Sequence, residues 1–370
     1  SGARIMAYTD IDKPSDYFNT IIWTGASDTA NRAFTGVGFQ PDLVWSKIRD
    51  DTYHHNWFDS VRGAGSDKEI NSDTSGAEGS GDTDGYGFIS SFDTDGFSTT
   101  QGTASGGRNL EYNQNNNTFV AWNWKAGTSF SNDASSTSVG SVDSTGSVST
   151  DAGFSIINVV KNNTTAHTVA HGLGAVPQMI IGKSRTGGSY RWIVYHQAIG
   201  NTHALYLNED FAKTDSVTFW NDTTPTSSVF SLGTDNSWNG TSIFYCFAEK
   251  KGYSKFGSYT GNGNADGPFI YTGFKPAFII QKRSDSAHDW QLHDNKRGQY
   301  FPGNVVNNRI EPNANNAEGT GDDIGYDFLS NGFKTRTSNA NYNASGSVYI
   351  YMAFAENPFV TSTGVPATAR

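Results

Sequence analysis

The sequence predicts an all-β protein built as three tandem β-sandwich domains of the jelly-roll, lectin-like kind, related by internal repeat. Three observations carry this. Glycine makes up 41 of 370 residues and aromatics 14%, the composition of a chain dense in turns and pleated, half-buried strands. Apolar runs are four to eight residues long and are broken by Gly, Asn, Asp and Ser. The same pattern also returns three times, at domain-sized spacing.

Each repeat opens on an apolar strand: Phe18–Trp23, Phe154–Val159 and Phe256–Gly261. A proline-led strand follows, Pro41 to Lys47, Pro177 to Lys183 and Pro276 to Lys282, six residues from proline to lysine each time. Proline suits strand entry, where a missing N–H costs least. With a period of two, Leu43, Trp45 and Lys47 share one side, yet Val44 on the other is also apolar. Both faces are therefore expected to be buried. A tryptophan comes next, Trp57, Trp192 and Trp290, at ten, nine and eight residues past the lysine. Repeats 1 and 3 then share an Ala-Glu-Gly loop (Ala77-Glu78-Gly79 and Ala317-Glu318-Gly319), absent from repeat 2. Asp95-Gly96 and Asn331-Gly332 read as tight hairpin turns. Each repeat closes on an aromatic strand: Phe119–Trp124, Ile243–Phe247 and Tyr349–Phe354. The best helical candidate is 201–214. The expected organisation is a leader at 1–16, repeat 1 at 17–127, a Ser/Thr/Gly-rich flexible linker at 128–149, repeat 2 at 150–252, repeat 3 at 253–359 and a tail at 360–370.

Charge and cysteine content exclude several function classes. Twenty-six Lys and Arg against 36 Asp and Glu give a net charge of −10, which argues against nucleic-acid and anionic-membrane partners. Apolar runs fall short of the ~18 residues of a membrane helix, and the N-terminus has no signal-peptide core. Cys246 is the one cysteine, so no disulfide framework is expected, and its apolar strand suits a buried hydrophobe.

The strings Asp12–Thr20, Phe39–Trp45, Asp59-Ser-Val-Arg62, Trp122–Gly127, Cys246–Gly252 and Phe256–Gly263 resemble a module of unknown function found in tail-fibre-like and other virion structural proteins of marine bacteriophages. The resemblance spans about residues 12–359. It implies a virion protein with sandwiches of the carbohydrate-binding type. It supplies no ligand and no catalytic residue.

The chemistry shared by all repeats lies in Lys47, Lys183 and Lys282 with Trp57, Trp192 and Trp290, joined by Asp59 and Asp294 and, in repeat 2, by Tyr195 and His196. An indole face beside an ammonium and an acid suits a sugar ring. The same pattern also suits a lysine stem and a core tryptophan packed on a sheet. The acidic turns Asp82-Thr-Asp84-Gly and Asp93-Thr-Asp95-Gly resemble pieces of calcium loops but lack EF-hand spacing, so calcium is the one ion considered and no other cofactor is expected. Glu78 and Glu318 could in principle supply an acid pair for glycoside hydrolysis, but no catalytic constellation recurs.

The expectation is thus a non-enzymatic virion appendage, outside the cell, that attaches to host-surface glycan through weak multivalent sites or contacts other virion proteins, with homo-oligomerisation left open. The alternatives are a purely structural virion component (decoration, spike or assembly protein) and a polysaccharide depolymerase.

Overall fold

In the computed structural model, residues 8–80, 85–161, 165–298, 304–321 and 325–366 are described. The chain is all-β, its strands paired antiparallel in several sheets, and among the described residues the helical segments are three or four residues long. Among the described residues no helix is long and apolar enough to cross a membrane.

Each repeat carries the same four-strand pattern, in which the opening strand pairs with the closing strand, then the proline-led strand, then the return strand. In repeat 1 these are Phe18–Thr24, Thr118–Trp124, Leu43–Ile48 and Asn56–Asp59, extended by Ile70–Asn71. In repeat 2 they are Phe154–Lys161, Gly240–Phe247, Met179–Ser184 and Ile193–His196, and in repeat 3 Ser254–Thr260, Val348–Pro358, Phe274–Arg283 and Gln291–Asp294. The period of two works as expected on both faces. Val44, Phe58 and Ala121 pack against the second sheet of their own repeat, through Phe34, Ile89 and Phe97. Ile180, Phe244 and Cys246 do the same in repeat 2, and Ile279, Tyr351 and Ala353 in repeat 3.

The opposite faces explain why both sides of these strands are apolar. Trp45 and Trp122 of repeat 1, Ile181 and Tyr245 of repeat 2, and Ile280 and Met352 of repeat 3 belong to one continuous core. The repeats are therefore not separate beads on a string. Each main sheet buries its second face against the other two repeats, and each large side chain so buried contributes about 1.5–3 kcal/mol.

The segment 128–149, expected to be a linker, is folded. Thr128–Asn132 and Ser144–Ser149 add two strands to the repeat 2 sheet, through pairing of Ser144–Ser149 with Phe154–Val159. Asp133 caps the single helical turn between them by accepting the N–H groups of Ser135 and Ser136. Backbone pairing and hydroxyl bonds such as Ser144 Oγ to Ala170 O (3.0 Å) replace the apolar alternation that would have announced these strands. The leader is also held: Ile11 enters the common core, and Asp10 N–H donates to Lys251 O at 2.9 Å. The tail is tied to the leader, where Asp12 accepts from Ser362 N–H at 2.6 Å.

Two local expectations shift. The segment 201–214 holds the strand His203–Tyr206, not a helix, since Ala204 and Leu205 turn to opposite cores. The hairpin loops are Thr94-Asp95 and Ser330-Asn331, because Asp93 pairs with Gly96 and Leu329 with Gly332. Gly96, at φ +151°, opens the return strand because a Cβ there would lie 2.0 Å from Phe34 O.

Candidate functional site

The residues shared by all repeats are structural. Lys47, Lys183 and Lys282 are buried, and each ammonium donates to main-chain carbonyls: Ile48 O and Asp51 O (2.6 and 2.9 Å), Ser75 O and Tyr190 O (2.9 and 2.6 Å), Arg283 O and Ser286 O (2.6 and 3.3 Å). Burial pushes their pKa values down to about 8, 7 and 8. Trp57, Trp192, Trp290, Asp59 and Asp294 are at most 1% exposed, and Tyr195, at 3%, packs on Trp220 in the repeat 2 core. No indole face is open to a ring, so the platform expected at these positions is corrected to packing.

Register shows what the packing does. Trp45 pairs with Trp57, Ile181 with Val194 and Ile280 with Leu292, so Trp192 and Trp290 correspond to His55, not to Trp57. These three positions form a ring of contacts between repeats. Trp192 Nε1 donates to Asn71 O of repeat 1 (2.9 Å) and Trp290 Nε1 donates to Tyr206 O of repeat 2 (2.8 Å), while the buried His55 Nε2 lies by the Glu311 backbone of repeat 3 without a well-formed hydrogen bond. His55 Nδ1 accepts from Trp45 Nε1 (3.0 Å), and burial pushes its pKa down to about 3, so the ring is neutral.

Asp59, His196 and Asp294 form a second ring. Tyr245 of repeat 2 donates its hydroxyl to Asp59 (2.7 Å), and Trp122 of repeat 1 donates Nε1–H to Asp294 (2.9 Å). The matching donor in repeat 3 is Met352, which has no proton to give. There His196 replaces the acid, and its Nε2 donates to Tyr351 O (3.1 Å) while Nδ1 accepts from Ala198 N. Arg62 and Arg297 neutralise the two aspartates from three residues on, where repeat 2 has the apolar Ile199. The Ala-Glu-Gly loops close the outside: Glu78 pairs with Arg185 of repeat 2 and Glu318 with Arg49 of repeat 1. Those glutamates are clasps between repeats.

Of the expected calcium ligands, Asp82 and Asp84 lie outside the described residues. Asp93 accepts from the Ser91 and Ser98 hydroxyls (2.8 and 2.6 Å) and holds its hairpin together, and Asp95 accepts from the N–H groups of Gly36 and Gly38 (3.0 and 2.6 Å) and ties the hairpin turn to the neighbouring loop. Among the described residues no group of three or more His, Cys, Asp or Glu is arranged to hold a metal.

The arrangement that can do chemistry is elsewhere, in a cavity of about 360 Å³ in repeat 1 bordered by Tyr53, His54, Glu69, Asn71, Tyr86 and Glu111. Glu69 precedes the short edge strand Ile70–Asn71, and Glu111 sits in the helical turn Leu110–Asn113. Both carboxyls are buried, at 1% and 4% exposure. They are joined through two amides: Asn71 Nδ2 donates to Glu69 Oε1 (3.0 Å) and to Asn56 Oδ1 (3.0 Å), and Asn56 Nδ2 donates to Glu111 Oε2 (3.1 Å). The Tyr112 hydroxyl donates to Glu69 Oε2 (3.3 Å). Burial, then the charge of Glu111, pushes Glu69 well above the carboxylate range, and burial pushes Glu111 up to about 8. At neutral pH the pair holds protons and can donate as well as accept.

At the rim, His54 Nδ1 and Asp73 Oδ2 are 2.6 Å apart, and this bond pushes the His54 pKa up. The half-exposed rings of Tyr53 and Tyr86 meet edge to face at 5.6 Å. The cavity thus offers acid protons, carboxylate and amide acceptors, an imidazole and two phenol rings. That is the equipment for a hydroxyl-rich ring with one apolar face. Sequence reasoning missed Glu69 and Glu111 because neither belongs to a motif. Aligning repeats 1 and 3 position by position would have found them, since repeat 3 has Arg309 and Asn341 there.

Fold and cavity together define an all-β protein of three fused antiparallel repeats with a carboxyl-lined pocket in the first. The chain belongs to the family DUF7483, a domain of unknown function, whose match runs over residues 13–358 and so spans all three repeats in one piece. Comparison with curated proteins and with solved structures gives no match.

Proposed function

We propose that the protein is a tail-fibre-like attachment protein of a phage virion, its repeats of the jelly-roll, lectin-like type, which binds host-surface carbohydrate without turning it over. The observation that carries the binding reading is the repeat 1 cavity, in which the buried Glu69–Glu111 pair faces the same space as Tyr53 and Tyr86. A sugar ring stacks on phenol faces while its hydroxyls bond acids and amides. The virion setting rests on the resemblance of the sequence strings to marine phage modules. A glycan array probed with the wild type and Tyr86→Ala tests this. The expected result is a small set of related glycans bound by the wild type and bound markedly more weakly by the variant. No binding by the wild type, or equal binding by both, contradicts it.

One observation favours a second reading. Two neighbouring buried carboxyls, one of them pushed up to about 8, can protonate a glycosidic oxygen, which is the first requirement of a polysaccharide depolymerase that works by hydrolysis. Reducing-end release from host exopolysaccharide, abolished by Glu111→Gln, would favour cleavage over attachment.

A further inference from the structure

The repeat 1 cavity has a counterpart in repeat 2 that no shared motif reveals. Register fixes the correspondence. Asp73, Asn208 and Asn313 each accept the main-chain N–H of the matched residue, His55 (3.0 Å), Trp192 (2.9 Å) and Trp290 (2.8 Å). Tyr53 therefore matches Tyr190 and His288, and His54 matches Arg191 and Asp289. Asn71 matches Tyr206, through their pairing with Asn56 and Ile193.

At this position in repeat 2 lies a cavity of about 290 Å³ bordered by Tyr190, Arg191, Tyr206, Glu209 and Asp235. Its arginine is held in place without being used up. The Arg191 guanidinium lies 5.0 Å from the Tyr206 ring centre and 5.4 Å from that of Phe211, and its Nε donates to Glu209 (3.2 Å). The side chain is still 48% exposed. A long side chain fixed on two rings has already lost much of its rotamer freedom, so it binds a ligand at lower entropic cost. In repeat 3 the position is filled from within: His288 Nδ1 meets Asn341 Oδ1 (2.8 Å) and Nε2 meets Arg283 Nη1 (3.0 Å).

We propose that the repeat 2 cavity is a second saccharide site, one for a neutral sugar ring, so that the chain carries two different sugar sites at equivalent places. The saccharide class rests on the reading of the repeat 1 cavity. The preference for a neutral ring rests on the charge of the lining: Glu209 and Asp235 outnumber Arg191, and the nearby Lys183 ammonium is buried on the Ser75 and Tyr190 carbonyls, which opposes a carboxylate or phosphate while leaving donors and acceptors for hydroxyls.

Saturation-transfer NMR with glucose, galactose, mannose, N-acetylglucosamine and glucuronate, at about 10 mM for millimolar sites, tests this. The proteins are the wild type, Tyr53→Ala/Tyr86→Ala, Arg191→Ala, and the triple variant, each first checked for an unchanged melting transition. Glu209→Gln stands in should Arg191→Ala fold poorly. The expected result is a neutral-sugar signal that persists in the double tyrosine variant and falls at least about fivefold in the triple variant, with glucuronate weaker than glucose. If the double tyrosine variant loses all signal and Arg191→Ala changes nothing, the second site is overturned and the first stands. If Arg191→Ala alone abolishes binding, the second site stands and the first falls. Silence from the wild type overturns both, and a stronger response to glucuronate overturns the neutral class.

Discussion

Repeats 1 and 3 follow the same plan and treat one position in opposite ways. In repeat 3 the Tyr342 hydroxyl donates to Gln291 Oε1 (2.9 Å), while the Asn341 side chain meets the His288 ring (2.8 Å) and its carbonyl accepts from Gln281 Nε2 (2.8 Å). In repeat 1 the positions matching Tyr342, Gln291 and Asn341 are Tyr112, Asn56 and Glu111, and Glu69 stands where repeat 3 has Arg309. Two buried acids take the place of amide and guanidinium, around an open cavity. Repeat 3 demonstrates that the fold does not require the acids. Burying ionisable groups costs stability unless their charge is neutralised. The surplus in repeat 1 is therefore where function is to be sought, and the positions the repeats share are where the architecture is held.

The largest test strikes what the two repeats have in common. Asp59→Ala and Asp294→Ala should each lower stability by about 3–5 kcal/mol, because each strands a buried arginine and a donor from the neighbouring repeat. Urea unfolding checks this, and because the core is shared the chain should unfold in one transition. Loss of one repeat with the others intact would contradict the common core.

A smaller effect comes from giving repeat 3 the acid of repeat 1. Asn341→Glu should cost about 1–3 kcal/mol by overfilling a half-buried site, and less at pH 8 than at pH 4, because the new carboxylate faces the His288 ring and, behind it, Arg283. Equal losses at both pH values would remove charge as the cause.

The converse change, Glu111→Gln, should show the smallest effect, and it has a definite sign. The folded pKa of Glu111 is raised to about 8, so its contribution is complete below the unfolded value near 4.5 and is lost as pH rises through 8. The variant should gain stability relative to the wild type from pH 5 to 8, by about 1–3 kcal/mol in thermal or urea melts. Lys47, Lys183 and Lys282 act oppositely and mostly higher. With folded values pushed down to about 8, 7 and 8, they favour the native state as pH rises towards 10. Lys183 and Lys282 are shared by wild type and variant and cancel in the difference, whereas Lys47 loses the attraction of the Glu111 carboxylate in the variant and contributes a smaller change of its own.

Much of the fold was legible in the residues. Proline entry, alternation and aromatic closure mark the strands of each repeat, and apolar residues on both faces mark central strands. What that double-sided pattern could not say was which partner covers the second face, since Trp45 and Ile181 look the same whether they meet their own second sheet or another repeat. The strands Thr128–Asn132 and Ser144–Ser149 escaped notice because backbone pairing and serine hydroxyls stabilise them with little apolar patterning. The equal treatment of Trp57, Trp192 and Trp290 failed for a related reason. Differences in loop length hid a two-residue offset that only strand register exposes. Glu69 and Glu111 are 42 residues apart in sequence, and only the pairing of Asn56 with Asn71 brings their surroundings together.

The working cavity and the repeated lysine positions can be separated in one experiment: titrate a glycan selected on the array into the wild type, Tyr86→Ala and Lys282→Met, and record a melting curve for each. Lys282 holds Arg283 O and Ser286 O, away from both cavities. Tyr86→Ala should weaken binding about tenfold or more, some 1.4 kcal/mol, with its melting transition unmoved, whereas Lys282→Met should move the transition and leave affinity unchanged. Lost affinity in Lys282→Met with full affinity in Tyr86→Ala would return the site to the buried repeat residues and contradict the account.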